Sequence, residues 1–473
     1  MGQTQRGSNI FPELQNEEAG WYVSMSADGN TVAVGGQAKD ENNKNFARAR
    51  VYNYDGQDWV QKGQSLKLLN YSGDYSSKCR VSLSADGNIL AFSSPNQGIL
   101  YSGIVMIYQY KSPNWELLGN YFVGGPNTLL GNDVSLSADG NILATVSSGY
   151  YGANNEYGAT TIHQLNGNWW DRLGQIIEGY SNSNGKYSFE KAVVSLSDDG
   201  TVVAVGTPLS GINGNYKGEV RIYKYTGGLW VQMGESIFSD EGANFGTSIA
   251  LSGDGNTFAV GKVSDTEMGY VRVFEHSNGH WIPKGMKLYG NEVNDAFGAS
   301  VTLSSNGTIL TVGSPRSNIS SSEIGLAKIF KFDGNDWNQI GNDIIGSATN
   351  DLFGQDVSIS STGNFLAISS PYFDNPPYTD SGNVKVYDLS DILAINTIET
   401  KSFSLYPNPA QEFLKVGLED DFELIEVTIY NSMGQLIKRE KTDVIDLSGL
   451  ATGVYYIKII SPQLEDTKMF IKN

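Results

Sequence analysis

Three histidines, one cysteine and 51 Asp and Glu residues are the groups with which this 473-residue chain could do chemistry. His276 and His280 have the i, i+4 spacing that seats two imidazoles on one metal, but that geometry belongs to a helix, and the Ser277-Asn278-Gly279 between them reads as a hairpin turn. His163 occupies a strand position that Tyr52, Tyr108, Tyr223 and Tyr387 hold elsewhere in the chain, which marks it as structural. Cys79 precedes a strand with no histidine near it in sequence; it reads as a small buried residue and cannot form an intrachain disulfide. No G-x-S-x-G, H-E-x-x-H or P-loop occurs. A carboxylate pair of the glycosidase kind is the one chemistry so many acids leave open. The expectation is therefore no catalytic residue, no metal and no cofactor.

The composition suits a β-rich extracellular protein with many tight turns: 55 Gly, 26 Tyr, 8 Trp and only 18% charged residues. A net charge of −19 repels phosphates and anionic lipid, so neither nucleic acid nor a membrane surface is expected as a partner. There is no apolar run long enough to span a membrane, and MGQTQRGSNIFPE lacks the apolar core of a signal peptide. If the protein is exported, its signal peptide is expected to be absent from this chain.

One phrase recurs along the chain. SMSADGN, SLSADGN (twice), SLSDDGT, LSGDGN, LSSNGT and ISSTGN centre on Asp28, Asp86, Asp139, Asp199, Asp254, Asn306 and Thr362, at intervals of 58, 53, 60, 55, 52 and 56 residues. Seven copies at this period predict seven blades of a β-propeller. Each copy carries four strand signals. An alternating strand leads into Asp-Gly or Asn-Gly, a hairpin signal whose two turn positions call for positive φ. A wholly apolar strand follows (TVAVGG, ILAFSS, TVVAVG), as expected between neighbouring blades. The third strand comes after a loop of variable length. The fourth begins with Trp and has Gly four residues on: Trp59/Gly63, Trp115/Gly119, Trp170/Gly174, Trp230/Gly234, Trp281/Gly285 and Trp337/Gly341. A residue repeating at one register is expected to pack between blades.

Seven repeats have only six such fourth strands. The seventh stops after GNVKVYDL at 382–389, while TQRGSNI near the N-terminus has Gly7, Ile10 and Gln5 in the register of a fourth strand, with Gln3 where Trp should stand. Residues 2–11 are therefore expected to close blade seven and leave no open edge.

Phe245-Gly246, Phe297-Gly298 and Phe353-Gly354, each followed by an apolar strand, resemble the FG-GAP propeller repeats over roughly residues 20–389. Calcium-binding members carry D-x-D-x-D-G loops; the lone turn acids here do not match, so the resemblance implies no metal. Sialidase-type propellers carry S-x-D-x-G-x-x-W boxes; the phrase here is one residue shorter and its Trp lies about 30 residues away.

The repeat ends at Leu389. Residues 390–400 read as a linker, and 401–473 as a small β-sandwich. Tyr406-Pro407-Asn408-Pro409, the Tyr430–Gly434 hairpin, Gly453-Val454-Tyr455 and the closing Lys468–Lys472 resemble the type A C-terminal sorting domain of type IX (Por) secretion in the Bacteroidetes group. That resemblance implies a signal carried by Tyr406, Pro407, Asn408, Pro409, Gly434, Gly453, Tyr455 and Lys472, recognition by the type IX translocon, and a secreted or cell-surface location.

The expected fold is all-β: a propeller at 1–389, then the sandwich. Its turns between strands one and two, and three and four, are short and uniform. The loops between strands two and three differ in every repeat and are rich in aromatics, which suits recognition. Tyr101, Tyr150, Tyr151, Tyr157, Tyr216, Tyr372, Phe373 and Tyr378 are the candidate ligand contacts. The expected function is binding or adhesion by a monomeric propeller to a glycan or protein. A polysaccharide-processing enzyme and a surface scaffold are the alternatives.

Overall fold

The computed structural model describes residues 2–12, 16–39, 45–69, 79–98, 100–151, 157–179, 192–210, 217–319, 322–394, 404–417, 426–431, 435–460 and 465–473, in two compact units, 1–393 and 394–473. The first is a seven-bladed propeller. In blade one, strands Tyr22–Met25, Thr31–Lys39, Asn45–Tyr54 and Trp59–Gln61 run from the axis outwards as an antiparallel sheet, labelled A to D here. The B strands are mostly apolar because they lie between neighbouring blades: Ile89–Ser94, Val202–Thr207 and Ile309–Ser314 are buried at every residue. The D strand breaks at its glycine, so Leu66–Leu69 forms a second segment on the same C strand.

The repeated phrase is a turn that satisfies itself. In blade one the Ser26 hydroxyl and the Asn30 N–H both donate to Asp28 Oδ1, at 2.6 and 2.9 Å, and the Thr31 N–H donates back to Ser26 Oγ. Partial burial opposes ionisation of Asp28, but these bonds outweigh it and hold the carboxyl below its usual range. The conformation differs from a turn with two left-handed residues. Only the glycine has positive φ (Gly29 at 70°), and its N–H closes on the Ser26 carbonyl at 3.0 Å. Asp is present for its side-chain bonds and not for its backbone freedom.

Neighbouring blades are joined by a clasp repeated six times. Each D-strand Trp donates its indole N–H to a carbonyl on the D strand of the preceding blade, at 2.6–2.9 Å: Trp59 to Arg6, Trp115 to Lys62, Trp170 to Leu118, Trp230 to Leu173, Trp281 to Met233 and Trp337 to Lys284. The next residue is always glycine, with φ of 70–77°, and a Cβ there would lie 2.7–2.9 Å from the indole Cδ1. The Trp-to-Gly spacing is therefore a contact between blades.

The N-terminus closes blade seven. Thr4 and Gln5 pair with Asp388 and Tyr387, and Ile10 bridges Val384. Gln3 takes the position of the missing Trp: its amide donates to the Asn342 carbonyl, and its Oε1 would lie 2.8 Å from a Cβ at Gly341. Ile392 fills the rest of that space. It belongs to a short helix, Ser390–Ala394, where the sequence suggested the start of a linker, and it is buried in the core beneath blade seven. Residues 395–400 of that expected linker lie outside the described residues.

Around the axis, seven backbone bonds of 2.7–3.0 Å run from blade to blade in one direction: Ala27 to Ala85, to Ala138, to Asp198, to Gly253, to Ser305, to Ser361 and back to Ala27. Asp198 accepts the Ser305 hydroxyl at 2.6 Å, reaching past blade five. A Cβ on Gly253 would lie 2.1 Å from both groups, so the channel is constricted at this end.

The second unit packs a three-stranded sheet (Ser404–Tyr406, Phe413–Gly417, Val444–Asp446) on a four-stranded one (Leu436–Glu440, Glu426–Asn431, Gly453–Ile460, Glu465–Lys472). Leu414, Ile429, Ile457 and Phe470 are in its core.

Deleting residues 2–12 should cost about 4–6 kcal/mol, from the lost burial of Ile10, the indole bond of Trp59 and the Arg6 guanidinium. That guanidinium lies 4.0 Å from the rings of both Tyr54 and Phe365 and donates to Gly29 O and Asn30. Chemical denaturation should show the loss together with concentration-dependent association of the exposed blade edge; an unchanged midpoint would refute closure by this strand.

Candidate functional site

A cavity of about 690 Å³ lies on the propeller axis, within the size range of small-ligand sites. Its wall is built from the first residues of the A strands and the residues that follow the B strands, among them Pro208, Val263 and Pro315. It therefore opens on the side of the variable B–C loops, opposite the constricted backbone ring.

The strand geometry determines which side chains face it. Alternate A-strand residues point to the axis. In the tier nearer the constriction, the axial position is Ser24, Ser82, Ser135, Ser195, Ala250, Thr302 and Ser358. Five of these serines accept a backbone N–H from the next blade, for example Leu83 N–H on Ser24 at 2.9 Å and Met25 N–H on Ser358 at 3.0 Å. Two residues earlier, at the mouth, the same register reads Tyr22, Arg80, Asp133, Val193, Ser248, Ser300 and Asp356. The sevenfold repeat is abandoned at this tier.

The polar groups of the mouth are held by the protein in separate sets. Arg80 lies flat over the Tyr22 ring, 3.7 Å from its centroid. Its Nε donates to the Asn132 carbonyl at 3.0 Å and stands 3.5 Å from Asp133 Oδ1. Asp133 accepts the N–H groups of Val134 and Val194, at 3.0 and 2.8 Å. Asp356 accepts the Val23 N–H and the Ser300 hydroxyl, at 2.8 and 2.7 Å. Burial pushes both carboxyls above their usual range, against the pull of Arg80 and these donors, and Asp356 reaches about 6. Farther out, Arg316 pairs with Asp265 at 3.2 Å.

The aromatic candidates differ in what they meet. Tyr372 stands edge-on to Trp21 at 5.6 Å, and Trp21 lines the cavity. Phe373 packs on Phe11 at 5.8 Å. Tyr378 exchanges backbone bonds with Asn375, and Tyr101, left-handed at φ 55°, accepts the Leu129 N–H on its carbonyl. Tyr150 and Tyr151 end one strand, and Tyr157 opens the next opposite Tyr151. Tyr216 lies outside the described residues. Only Tyr372 is joined through a described contact to the cavity wall.

Sequence reasoning passed over the mouth residues. The signal that could have found them is the position two before the axial serine, where repeats that otherwise agree change residue type.

The remaining chemical groups have structural surroundings. Cys79 is fully buried against the Gly36 and Arg48 carbonyls, and burial pushes its thiol to about 12. His163 packs tilted against Phe122 at 4.3 Å, and burial followed by Arg172 lowers it to about 4. His280 pairs with Glu235 at the surface, while His276 packs on Trp281. Among the described residues, no three His, Cys, Asp or Glu side chains are grouped to hold a metal.

In the second unit, Asn408 joins the entry segment to the last strand. Its amide donates to the Met469 carbonyl at 3.3 Å, and its Oδ1 accepts the Ile471 N–H at 3.0 Å. Tyr406 is exposed and Gly453 pairs with Lys472; the Tyr455 hydroxyl donates to Ala451 O at 2.9 Å, and its ring stacks on Phe470. Gly434 lies outside the described residues.

Residues 404–473 match the secretion system C-terminal sorting domain, and the protein is exported by type IX secretion to the cell surface or the extracellular space. No curated protein matches the chain. Among solved structures, the WD40 repeats of RRP9 are similar at 13% identity and a TM-score of 0.51, over 82% of this chain and 99% of that one. A proposed 6-phosphogluconolactonase from Bacteroides uniformis is similar at 15% identity and a TM-score of 0.47, over 72% and 89%. Another from Bacteroides fragilis has 15% identity and a TM-score of 0.46, over 72% and 86%. The RRP9 likeness shows the propeller fold.

Asp356→Asn should stabilise the protein at neutral pH. The folded-state carboxyl is raised, so the native chain binds more protons than the unfolded one between pH 3.8 and about 6, and wild-type stability falls as pH rises through that window. Because Asp356 stands in the cavity wall, the gain at pH 7.5 should be on the order of 1–2 kcal/mol, smaller than the full shift implies. Melting scans should show the gap between variant and wild type narrowing by pH 4; a gap independent of pH would contradict the raised carboxyl.

Proposed function

We propose that the propeller is an exported binding module whose ligand, a glycan or a partner protein, docks at the wide mouth of the axial cavity. The observation that carries this is the break in the repeat. A scaffold that uses serine at five of seven axial positions in one tier has Tyr, Arg, Asp, Val, Ser, Ser and Asp in the next, at the rim of a cavity. Packing alone would favour repetition, as it does at every Trp and Gly of the outer clasp. The Tyr372–Trp21 pair extends the same surface onto the blade-seven loop. Rigid aromatics beside fixed polar groups suit a surface that must bind without rearranging.

A glycan and protein array probed with the propeller tests this. Gln355→Trp narrows the mouth from a residue with partial exposure, and it should weaken any array ligand at least tenfold with an unchanged melting temperature. Tyr372→Ala should cost roughly 1–3 kcal/mol of binding if that ring is a hot spot. Ligands that tolerate both changes would place recognition elsewhere. A reducing-sugar release assay on the same panel separates binding from hydrolysis.

Removing residues 401–473 should leave the propeller folded and retained inside the cell envelope. Fractionation followed by circular dichroism checks both halves of this expectation; surface display equal to that of the full chain would refute it.

A further inference from the structure

The hydrogen-bonding capacity left unmet at the cavity mouth belongs to a donor. Both carboxylates are already held by the protein: Asp133 by two backbone N–H groups, Asp356 by one and by the Ser300 hydroxyl. Arg80 is held along one edge only, through Nε, with the Tyr22 ring stacked against its face. Among the described residues, no acceptor meets its two terminal NH2 groups, and the side chain is 23% exposed, in the cavity wall. A guanidinium braced in this way presents a fixed fork, whose complement is a carboxylate received through two parallel bonds.

We propose that the open fork of Arg80 binds the carboxylate of an acidic saccharide, a uronate, at the cavity mouth; this rests on the mouth being the binding surface. A saccharide fits the rest of the wall. Asn244 and Thr247, which donate to the Val263 and Asn244 carbonyls and keep side-chain oxygens that can accept, stand in the wall with Gln355 and with short apolar side chains such as Val193 and Val263, a mixture that matches sugar hydroxyls and C–H faces.

The charge around the fork gives the proposal a pH signature. Asp356 faces the Ser300 hydroxyl, the Val23 N–H, Arg80 and the Tyr22 ring; Asp133 and, paired with Arg316, Asp265 are the other acids of the wall. With the acids ionised, the cavity wall carries three negative charges (Asp133, Asp265 and Asp356) against two positive ones (Arg80 and Arg316), which opposes a carboxylate ligand. As pH falls through about 6, Asp356 takes up a proton and that opposition lessens. A uronate stays ionised down to about pH 3.5, the range of an α-carboxyl. Uronate affinity should therefore be higher at pH 5 than at pH 7.5.

Calorimetric titration of the intact protein with trigalacturonate, its methyl ester and galactotriose tests the proposal. Trigalacturonate should bind at least tenfold more tightly than its ester, and three- to tenfold more tightly at pH 5 than at pH 7.5. Arg80→Gln should weaken it at least tenfold. Asp356→Asn, which keeps an oxygen for the Val23 N–H, should bring the pH 7.5 affinity up to the pH 5 value and remove the pH dependence; this reports on the site even if Arg80→Gln folds poorly. Equal binding of acid and ester, no binding of trigalacturonate at millimolar concentration, or indifference to Arg80→Gln in a folded variant would each overturn it. Arg80-dependent binding of a glutamate-rich peptide without trigalacturonate binding would overturn the saccharide class. If galactotriose binds and only Gln355→Trp abolishes it, the mouth stands as the binding surface and the carboxylate fails. If trigalacturonate binds and neither variant affects it, both fail.

Discussion

Everything in the propeller depends on the ring closing. A blade leaves two faces to be covered, and in a closed ring each face is covered by the next blade. The price of closure is that the interfaces must be nearly equivalent, because a misfit at one accumulates at the last. The chain meets this with short-range, directional bonds. The seven N–H to carbonyl bonds near the axis set the spacing of the inner strands, and the indole-to-carbonyl clasp sets that of the outer ones. Between them, the B strands are free to be simply apolar.

The seventh interface shows how strict this is. The chain has no seventh Trp for the outer clasp, and it fills the place with two residues from opposite ends of the propeller. Gln3 supplies the hydrogen-bond donor and Ile392 the apolar volume, both against Gly341. An indole provides both functions in one side chain. The substitution also explains why residues 390–394 leave the strand pattern as a helix: the clasp needs an apolar side chain beneath the outer strand, and a helical turn after Leu389 delivers Ile392 there.

Much of this was legible in the sequence, for a physical reason. Trp and Gly four apart, Ser and Asp in the turn, and Gln5, Gly7 and Ile10 at the N-terminus each perform a task repeated at every interface, so repetition exposed them. The axial site was less legible because its residues are defined by departing from the pattern, and because strand alternation alone does not say which face meets the axis. The turn conformation was misjudged since Asp-Gly is compatible with more than one turn, and Asp28 is there for Ser26 and Asn30. The loop aromatics stand out in the sequence as candidate ligand contacts, but their neighbours do not: Tyr372 and Phe373 meet Trp21 and Phe11, in the segment near the start of the chain. That segment is not adjacent to them in sequence, so no local pattern could reveal the contacts.

The sorting domain follows the same logic of ends meeting. Its two most recognisable phrases, Tyr406–Pro409 and Lys468–Lys472, stand about 60 residues apart, yet they form one structural element. The Ala410 N–H donates to the Ile471 carbonyl at 2.8 Å, the Asn473 N–H returns to the Ala410 carbonyl at 2.9 Å, and the two bonds of Asn408 lie beside them. The last residue of the chain thus takes part in seating the first turn of the domain. Phe470, fully buried and stacked on Tyr455, fixes the strand that carries these contacts. The two phrases therefore meet as one patch of the folded unit, which neither forms from its own residues alone.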